Sequence, residues 1–198
     1  MHNRGLAYEA QGDHDRAIAD YDEALRLDPE DAVAFYNRGI AYENKRDYDH
    51  ADAIADYSEA LRRDPKYATT SDNRSNAYEA RGDHDHAIAD YDKALQRDSE
   101  DPVAFYNRGI AYENRRDYDH AIADYSEAIR LDPEYAEAYL VRGISYENKR
   151  ELEKALADFR VALNHESLTA SSKQKAKDGV ERIEQKLAAG RNTRPAAK

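Results

Sequence analysis

Apolar residues recur at helical spacing in two neighbouring stretches, and this pair of stretches repeats along most of the chain. Within residues 118–131 the apolar positions fall at i, i+1, i+4, i+7 and i+8, which places them on one face of a helix. These positions are Ala121, Ile122, Tyr125, Ala128 and Ile129. A polar turn precedes each second stretch, and Asp-Pro follows three of them. Because proline lacks an amide hydrogen and disfavours helix in the residue before it, the chain turns there. The pattern predicts an all-α protein of antiparallel helix pairs.

The helix pairs are copies of one another. The segment VAFYNRGIAYEN at residues 33–44 recurs unchanged at 103–114, and looser copies begin at Asn3, Asn73 and Val141. The small residues that mark one place in every copy are separated by 34, 36, 34 and 34 residues, and they are Gly5, Gly39, Ser75, Gly109 and Gly143. Self-similarity at a fixed period indicates stacked repeat units within one elongated domain. We expect five units, at about residues 1–31, 32–67, 68–101, 102–135 and 136–167.

Both ends of the chain depart from the repeat. Residues 168–189 predict a closing amphipathic helix that covers the last apolar face, and after the fifth unit the repeat is expected to stop. Gly190 is expected to end this helix and residues 190–198 to form a disordered tail. Met1 falls inside the first repeat, so that either the first helix is shortened or the chain is a fragment of a longer protein. The sequence leaves these two explanations open.

Two internal places also depart from the regular pattern. The step of 36 comes from the additional pair Ala51-Asp52. Because the later positions keep their register, this pair is predicted to form a longer first turn or a bulge at the start of the second helix. The first helix of the third unit begins with Thr69, Thr70 and Ser71, which are poor helix formers. We expect the softest joint of the array there.

Glycine in the middle of the first helix predicts close helix packing. Gly39 and Gly109 lie where glycine costs about 1 kcal/mol relative to alanine, so close approach of the second helix is the expected gain. Alanines of the second helix are predicted to face these glycines. The tyrosines four residues after the alanines are predicted to be the large packing partners. The residues concerned are Ala53 and Tyr57 in the second unit and Ala121 and Tyr125 in the fourth.

Composition narrows the possible partners. There is no Cys, which excludes disulfides and thiolate metal sites. The net charge of −11 divides into −15 for residues 1–165 (22 Lys+Arg against 37 Asp+Glu) and +4 for residues 166–198 (8 against 4). Since an acidic body repels phosphate backbones, we expect no nucleic-acid partner. No apolar run approaches the ~20 residues of a membrane span, so we expect a cytoplasmic protein without membrane contact.

No arrangement of side chains indicates catalysis. The sequence has no Gly-x-Ser-x-Gly motif and no phosphate-binding Walker motif, and its many paired carboxylates are expected of so charged a chain. His84, Asp85 and His86 with Asp83 are the best metal candidate, but exposed turn histidines are the better explanation. We expect no enzyme activity, no metal and no cofactor.

Together these features resemble the tetratricopeptide repeat (TPR) family. The shared features are the 34-residue period, the Gly-x-x-Tyr of the first helix, the Ala-x-x-x-Tyr/Phe-x-x-Ala of the second, and the closing Pro. The resemblance covers about residues 1–166 and implies a right-handed α-solenoid, or superhelix, whose first helices line a concave groove. The sequence departs from the family pattern at one place in the first helix, where family members often have Leu. The residues there are Arg38, Arg74, Arg108 and Arg142.

The resemblance also implies that a recurring asparagine of the first helix faces the groove, where its amide can hold the backbone of an extended peptide. The peptide-binding residues predicted in this way are Asn37, Asn73 and Asn107, with Tyr36, Tyr106, Glu43, Asn44, Glu113 and Asn114 as neighbours. A merely solvated polar face is the alternative. The Lys/Arg clamp with which some family members bind a C-terminal carboxylate is missing here.

The predicted function is a non-catalytic scaffold that binds a peptide or partner protein in the groove, through a basic or neutral segment. Two alternatives remain open from the sequence. One is a self-associating module that forms homo-oligomers through an uncapped end or swapped repeats. The other is a recruiting arm of a larger protein.

Overall fold

The computed structural model describes residues 2–45, 50–64 and 68–192, which contain eleven α-helices and no strand. The helices are α1 (His2–Ala10), α2 (His14–Leu27), α3 (Ala32–Asn44), α4 (Ala51–Arg63), α5 (Ala68–Ala80), α6 (His84–Arg97), α7 (Pro102–Asn114), α8 (Tyr118–Leu131), α9 (Ala136–Asn148), α10 (Leu152–Asn164) and α11 (Ala170–Asn192). The two helices of each repeat unit pack against each other, so the predicted all-α helical-repeat fold is confirmed. Within these ranges no helix is both long enough and apolar enough to cross a membrane.

The helices belong to two compact units. Helices α1–α6 lie in the unit of residues 1–97, and α7–α11 lie in the unit of residues 98–198. Each second helix contributes one fully buried aromatic ring to the core of its pair, in the order Tyr21, Tyr57, Tyr91, Tyr125 and Phe159. Alanines on both helices fill the space between these rings. The core of each helix pair is therefore one aromatic ring flanked by buried alanines.

Each of these rings lies against the marker position of the first helix. A Cβ atom placed on Gly39 would lie 2.6 Å from Cε1 of Tyr57, and one on Gly109 would lie 2.6 Å from Cε1 of Tyr125. The predicted close approach is confirmed, but the nearest atoms belong to the tyrosine rings and not to Ala53 or Ala121. A flat ring that reaches across the pair fills the space left by the absent side chain, which an alanine methyl group is too short to do.

Aspartate side chains fix where the first helices begin. Asp31 accepts hydrogen bonds from the backbone N–H groups of Val33 and Ala34, both at 3.0 Å. Asp101 makes the same pair of bonds at the start of α7, where Pro102 occupies the first turn. These caps satisfy N–H groups that have no partner inside the helix. They set the register of every side chain on α3 and α7.

The second unit, which holds the additional pair, has a wider interval between its two helices than the fourth unit has. Helix α3 ends at Asn44 and α4 begins at Ala51, whereas α7 ends at Asn114 and α8 begins at Tyr118. Helix α4 has 13 residues against 14 in α8. The predicted longer first turn or bulge falls on the residues before Ala51 and stays a prediction. Burial of the alanine seam and of the aromatic ring holds α4 in register. Residues 46–49 of this connection lie outside the described ranges.

Helix α5 is complete despite its poor helix formers. It buries Thr70, Ser71 and Ser75, and the Ser75 hydroxyl donates to the Ser71 carbonyl oxygen at 2.8 Å. The hydroxyl thus finds an acceptor in its own helix, and burial against α6 supports a segment of low intrinsic propensity. The predicted softness of this joint remains a prediction.

Helix α11 differs from its prediction in two ways. It continues past Gly190 to Asn192, because one glycine costs only about 1 kcal/mol inside a helix whose preceding residues favour it. It also continues the repeat: Gly179 follows Gly143 by 36 residues, and a Cβ atom on Gly179 would lie 2.7 Å from Cε2 of Phe159. Helix α11 therefore packs on α10 as the first helix of a further unit would.

Candidate functional site

Three of the predicted site residues meet around one core tyrosine in the first compact unit. The Tyr57 hydroxyl of α4 donates to Oε2 of Glu43 on α3 at 2.6 Å. The Asn73 amide of α5 donates to the Tyr36 hydroxyl at 3.4 Å, and the rings of Tyr36 and Tyr57 lie 6.1 Å apart. We call Tyr36, Glu43, Tyr57 and Asn73 the Tyr57 cluster. It joins first-helix side chains to the core of the helix pair.

The second compact unit contains an equivalent group around Tyr125. Its hydroxyl donates to Oε2 of Glu113 at 2.8 Å, and its ring lies 5.9 Å from that of Tyr106. Tyr106 also contacts the ring of Tyr135 at 4.9 Å. We call Tyr106, Glu113, Tyr125 and Tyr135 the Tyr125 cluster. Identical sequence in α3 and α7 therefore produces the same tyrosine–glutamate hydrogen bond twice.

Burial changes the acidity of both glutamates. It raises the pKa of Glu43 and of Glu113, although the tyrosine hydroxyl that each accepts favours the charged form. Burial and the neighbouring carboxylate also raise the pKa of Tyr57 and of Tyr125, so that each hydroxyl keeps its proton and donates it. The two glutamates are thus half-buried acids held by the core, and not freely rotating surface charges.

The remaining predicted residues lie outside these two clusters. Asn44 is exposed at the end of α3, where its amide donates to Glu9 at 3.1 Å, and Asn114 is exposed at the end of α7. Asn37 and Asn107 are half-buried, and within the described part of the chain neither makes a side-chain hydrogen bond to its cluster. They present an amide group next to the clusters without being joined to them.

Sequence reasoning missed an ion pair between a first-helix arginine and a buried second-helix aspartate that recurs in all five units. The arginine found where the family often has Leu is bound through Nε and Nη2 to both carboxylate oxygens of an aspartate on the second helix, at 2.6–2.8 Å. The pairs are Arg4–Asp20, Arg38–Asp56, Arg74–Asp90, Arg108–Asp124 and Arg142–Asp158. The signal was present, because the two residues stand 16 apart in four units and 18 apart in the unit with the additional pair.

These arginines also connect neighbouring helix pairs. Nη1 of Arg74 donates to the Ser58 hydroxyl at 2.9 Å, and Nη1 of Arg142 donates to the Ser126 hydroxyl at 3.0 Å. Each serine belongs to the second helix of the preceding pair. Each of these two guanidinium groups therefore ties its first helix to two second helices, that of its own pair and that of the preceding pair. These bonds fix the orientation of the first helix.

The turn histidines take part in local contacts. Nδ1 of His86 and Nδ1 of His120 donate to carboxylate oxygens of Asp83 and Asp117, each at 2.8 Å. Each histidine ring also stacks 5.0 Å from the ring of a tyrosine on the first helix. No group of three or more metal-binding side chains occurs among the described residues. Each histidine is therefore accounted for by an aspartate and an aromatic ring beside it.

Comparison with known families agrees with this geometry. A TPR repeat model matches residues 5–45 and 75–114, and two tetratricopeptide repeat models match residues 102–135 and 32–67. No protein with curated annotation matches the sequence.

Three solved structures illustrate the similarity. MamA is 26% identical with a TM-score of 0.77, and the match covers 87% of this chain and 96% of MamA. The first TPR of Spaghetti (RPAP3), bound to the HSP90 peptide SRMEEVD, is 30% identical with a TM-score of 0.57, over 63% of this chain and 96% of that one. YrrB, described as a TPR protein with an unusual peptide-binding site, is 24% identical with a TM-score of 0.76, over 89% and 90% of the two chains.

Proposed function

The chain belongs to the tetratricopeptide repeat family, and from this we propose that it is a non-catalytic interaction scaffold that binds a peptide segment of a partner protein on its first helices. The observation that carries the proposal is the Tyr57 cluster, in which Tyr36, Glu43 and Asn73 converge from two first helices onto one core tyrosine. Side chains that could otherwise point freely into solvent are held in fixed relative positions.

The chemistry of these side chains suits an extended peptide. The amide groups of Asn37 and Asn107 offer both a donor and an acceptor, which matches a peptide bond whatever its sequence. Tyr36 and Tyr106 provide flat contact area at low cost in side-chain entropy. The RPAP3 domain with its bound peptide supports this type of ligand, since it is the most similar in sequence of the three structures.

The acidic character of the chain favours a basic or neutral segment over an acidic one. With a net charge of −11, the chain attracts cationic partners at low ionic strength and repels anionic ones. Binding should therefore weaken as salt is added, because exposed charges more than a Debye length apart are screened.

Binding of peptide pools to the whole chain tests the proposal. Fluorescence anisotropy with labelled pools of random short peptides should detect binding that the double variant Asn37→Ala plus Asn107→Ala weakens about tenfold or more, because two amide contacts are lost. The matched control is Asn164→Ala, at the exposed end of the second helix α10, which should leave binding unchanged. Absence of binding to every pool, or equal binding by the double variant, would contradict the proposal.

A further inference from the structure

In four of the units, the turn between the two helices of the pair contains a residue in the left-handed backbone conformation. In the first and third units this residue is Gly12 or Gly82, with φ of 73° and 77°. In the fourth and fifth units it is Arg116 or Arg150, both with φ of 62°. In each of these units its backbone N–H donates to the carbonyl oxygen three residues earlier, at 2.7–2.9 Å. Glycine therefore closes the same turn as arginine does.

The two arginines are unfavourable for the turn that they close. A side chain in the left-handed conformation is strained because its Cβ atom comes close to the following carbonyl oxygen, and glycine avoids this cost. Among the described residues, Arg116 and Arg150 are the two with positive φ that are not glycine. Since Gly12 and Gly82 make the turn without the strain, turn geometry does not explain the arginines.

Internal contacts do not explain them either. Both side chains are exposed, and within the described part of the chain neither guanidinium group forms an ion pair or a hydrogen bond. The basic residue just before Arg150 behaves differently, because Lys149 forms ion pairs with Asp119 of α8 and with Glu151. One cation of this turn thus serves the fold, and the next one does not.

Most carboxylates close to the two arginines already have partners. Six carboxylates lie within three residues of Arg116 or Arg150, and Glu153 of these forms no ion pair with Arg150. The other five bind different side chains, and they are Glu113, Asp117, Asp119, Glu147 and Glu151. Both guanidinium groups therefore face solvent with their charge unpaired.

The two arginines lie in neighbouring turns of the second compact unit. The ion pair between Lys149 and Asp119 joins the turn of the fifth unit to the first residues of α8, which begins two residues after Arg116. A depression of about 350 Å³ adjoins Arg150, and Leu152 forms an apolar part of its wall. We call Arg116, Arg150 and Leu152 the turn surface. It offers two cations and one apolar contact.

The charge of this part of the chain permits a small anionic partner. Residues 98–198 carry a net charge of −2 (17 Lys+Arg against 19 Asp+Glu), whereas residues 1–97 carry −9 (13 against 22). A long polyanion such as nucleic acid would also meet the acidic remainder of the chain, but a short segment needs to approach only the turns. Guanidinium groups bind carboxylates through two parallel hydrogen bonds. Carboxylates of a short peptide segment therefore fit the turn surface.

We propose that the turn surface docks a short acidic segment of a partner protein, whose carboxylates bind Arg116 and Arg150 and whose apolar side chain packs against Leu152. This surface follows the ends of α7 and α9. It is separate from the asparagines of the first helices, to which the proposed function assigns a basic or neutral segment. The inference goes beyond the proposed function and does not depend on it.

Binding of two matched peptide pools to the whole chain tests the inference. The pools share one random background that contains apolar residues, and they differ only in whether the fixed positions hold Glu or Gln. By fluorescence anisotropy, Arg116→Gly plus Arg150→Gly should weaken binding of the Glu pool about tenfold or more, as expected for hydrogen bonds between charged groups. Binding of the Gln pool should not change. Because glycine relieves the strain, urea denaturation should show this double variant to be at least as stable as wild type.

Two control variants separate the turn surface from general electrostatics and from the groove. Lys175→Gln plus Lys177→Gln removes the same charge at exposed positions of α11, and it should leave binding of the Glu pool unchanged. Asn37→Ala plus Asn107→Ala should also leave it unchanged. A weakening in either control equal to that of the arginine variant would overturn the inference.

Four other results would overturn it as well. They are no binding of the Glu pool by wild type, no effect of the arginine variant, a loss of stability in that variant, and equally tight binding of a single-stranded oligonucleotide of the same charge. The first two would exclude the site, the third would make the arginines structural, and the fourth would make the surface a general polyanion site.

Discussion

The fourth and fifth units, α7–α8 and α9–α10, share one backbone arrangement but differ in how they treat the same glutamate. In the fourth unit the Tyr125 hydroxyl binds Glu113, whose pKa is raised by burial. In the fifth unit Phe159 offers no hydroxyl, and Glu147 binds Arg182 and Lys186 of α11, which lower its pKa to about 2. In these two units the presence or absence of one oxygen atom on the core ring thus accompanies a change in the partner of the carboxylate, from the core tyrosine to two cations of α11.

The same two units also show what does not vary. Arg108 binds Asp124, and Arg142 binds Asp158, with the same two-bond geometry. Both aspartates are almost fully buried. The ion pair is thus common to both units, whereas the partner of the glutamate differs between them. Stability should depend on the first feature and recognition on the second.

The largest expected effect is on the shared feature. Asp124→Ala and Asp158→Ala should each destabilise the protein by about 3–5 kcal/mol, because removal of one partner leaves a mostly buried guanidinium without its carboxylate. Urea denaturation measures the loss. Glu181→Ala, at an exposed position of α11, is the control and should change stability by less than about 0.5 kcal/mol. Clearly unequal losses in the two units would show that the ion pair is not a common element.

The next effect distinguishes the two units. Tyr125→Phe gives the fourth unit the core phenylalanine of the fifth unit but adds no cation beside Glu113. The half-buried carboxylate of Glu113 therefore loses the hydrogen bond from the Tyr125 hydroxyl. We expect a loss of about 1–3 kcal/mol at pH 7, the range for a hydrogen bond to a charged group. Tyr146→Phe on α9 is the matched control, because its ring contacts with Arg142 and Lys154 survive. If both variants unfold at the same urea concentration, the Tyr125 hydroxyl has no special role.

The marker glycines should also respond unequally. A Cβ atom on Gly109 would lie 2.6 Å from the Tyr125 ring, whereas one on Gly143 would lie 2.9 Å from the Phe159 ring. Overpacking costs about 1–3 kcal/mol, against a gain in helix propensity of about 1 kcal/mol for alanine. Gly109→Ala should therefore lose about 1–2 kcal/mol, and Gly143→Ala should lose less. Thermal unfolding followed by circular dichroism would reveal the reverse order if the ring spacing does not control the cost.

The fold was largely accessible from sequence, and the contacts of the site were not. The spacing of Ala121, Tyr125 and Ala128 is enough to predict a helix and the face it buries, because burial acts on periodic positions. The partner of Glu113 or Glu147 depends on one atom of the facing ring and on where α11 packs, which no local pattern encodes. The arginine–aspartate pairs are an intermediate case. Their separation of 16 residues in four units and 18 in the other was visible in the sequence, but the sequence was equally compatible with exposed side chains at these positions.

The smallest effect compares the two glutamates directly, because substitution by Gln should act with opposite sign. Since the pKa of Glu113 is raised in the folded protein, its contribution to stability falls as the pH rises from 4.5 through that pKa, and it remains unfavourable at pH 7. Glu147, with its pKa lowered to about 2, contributes stability that is present above pH 4.5 and is lost as the pH falls toward 2.

At pH 7 we therefore expect Glu113→Gln to be neutral or stabilising by up to about 1 kcal/mol, and Glu147→Gln to be destabilising by about 1 kcal/mol. Urea denaturation of both variants between about pH 3 and pH 7 should show the two differences converging at low pH, where both carboxylates approach protonation. Changes of the same sign at pH 7 would mean that the core tyrosine and the cations of α11 bind the carboxylate equally well, and the contrast between the two units would then disappear.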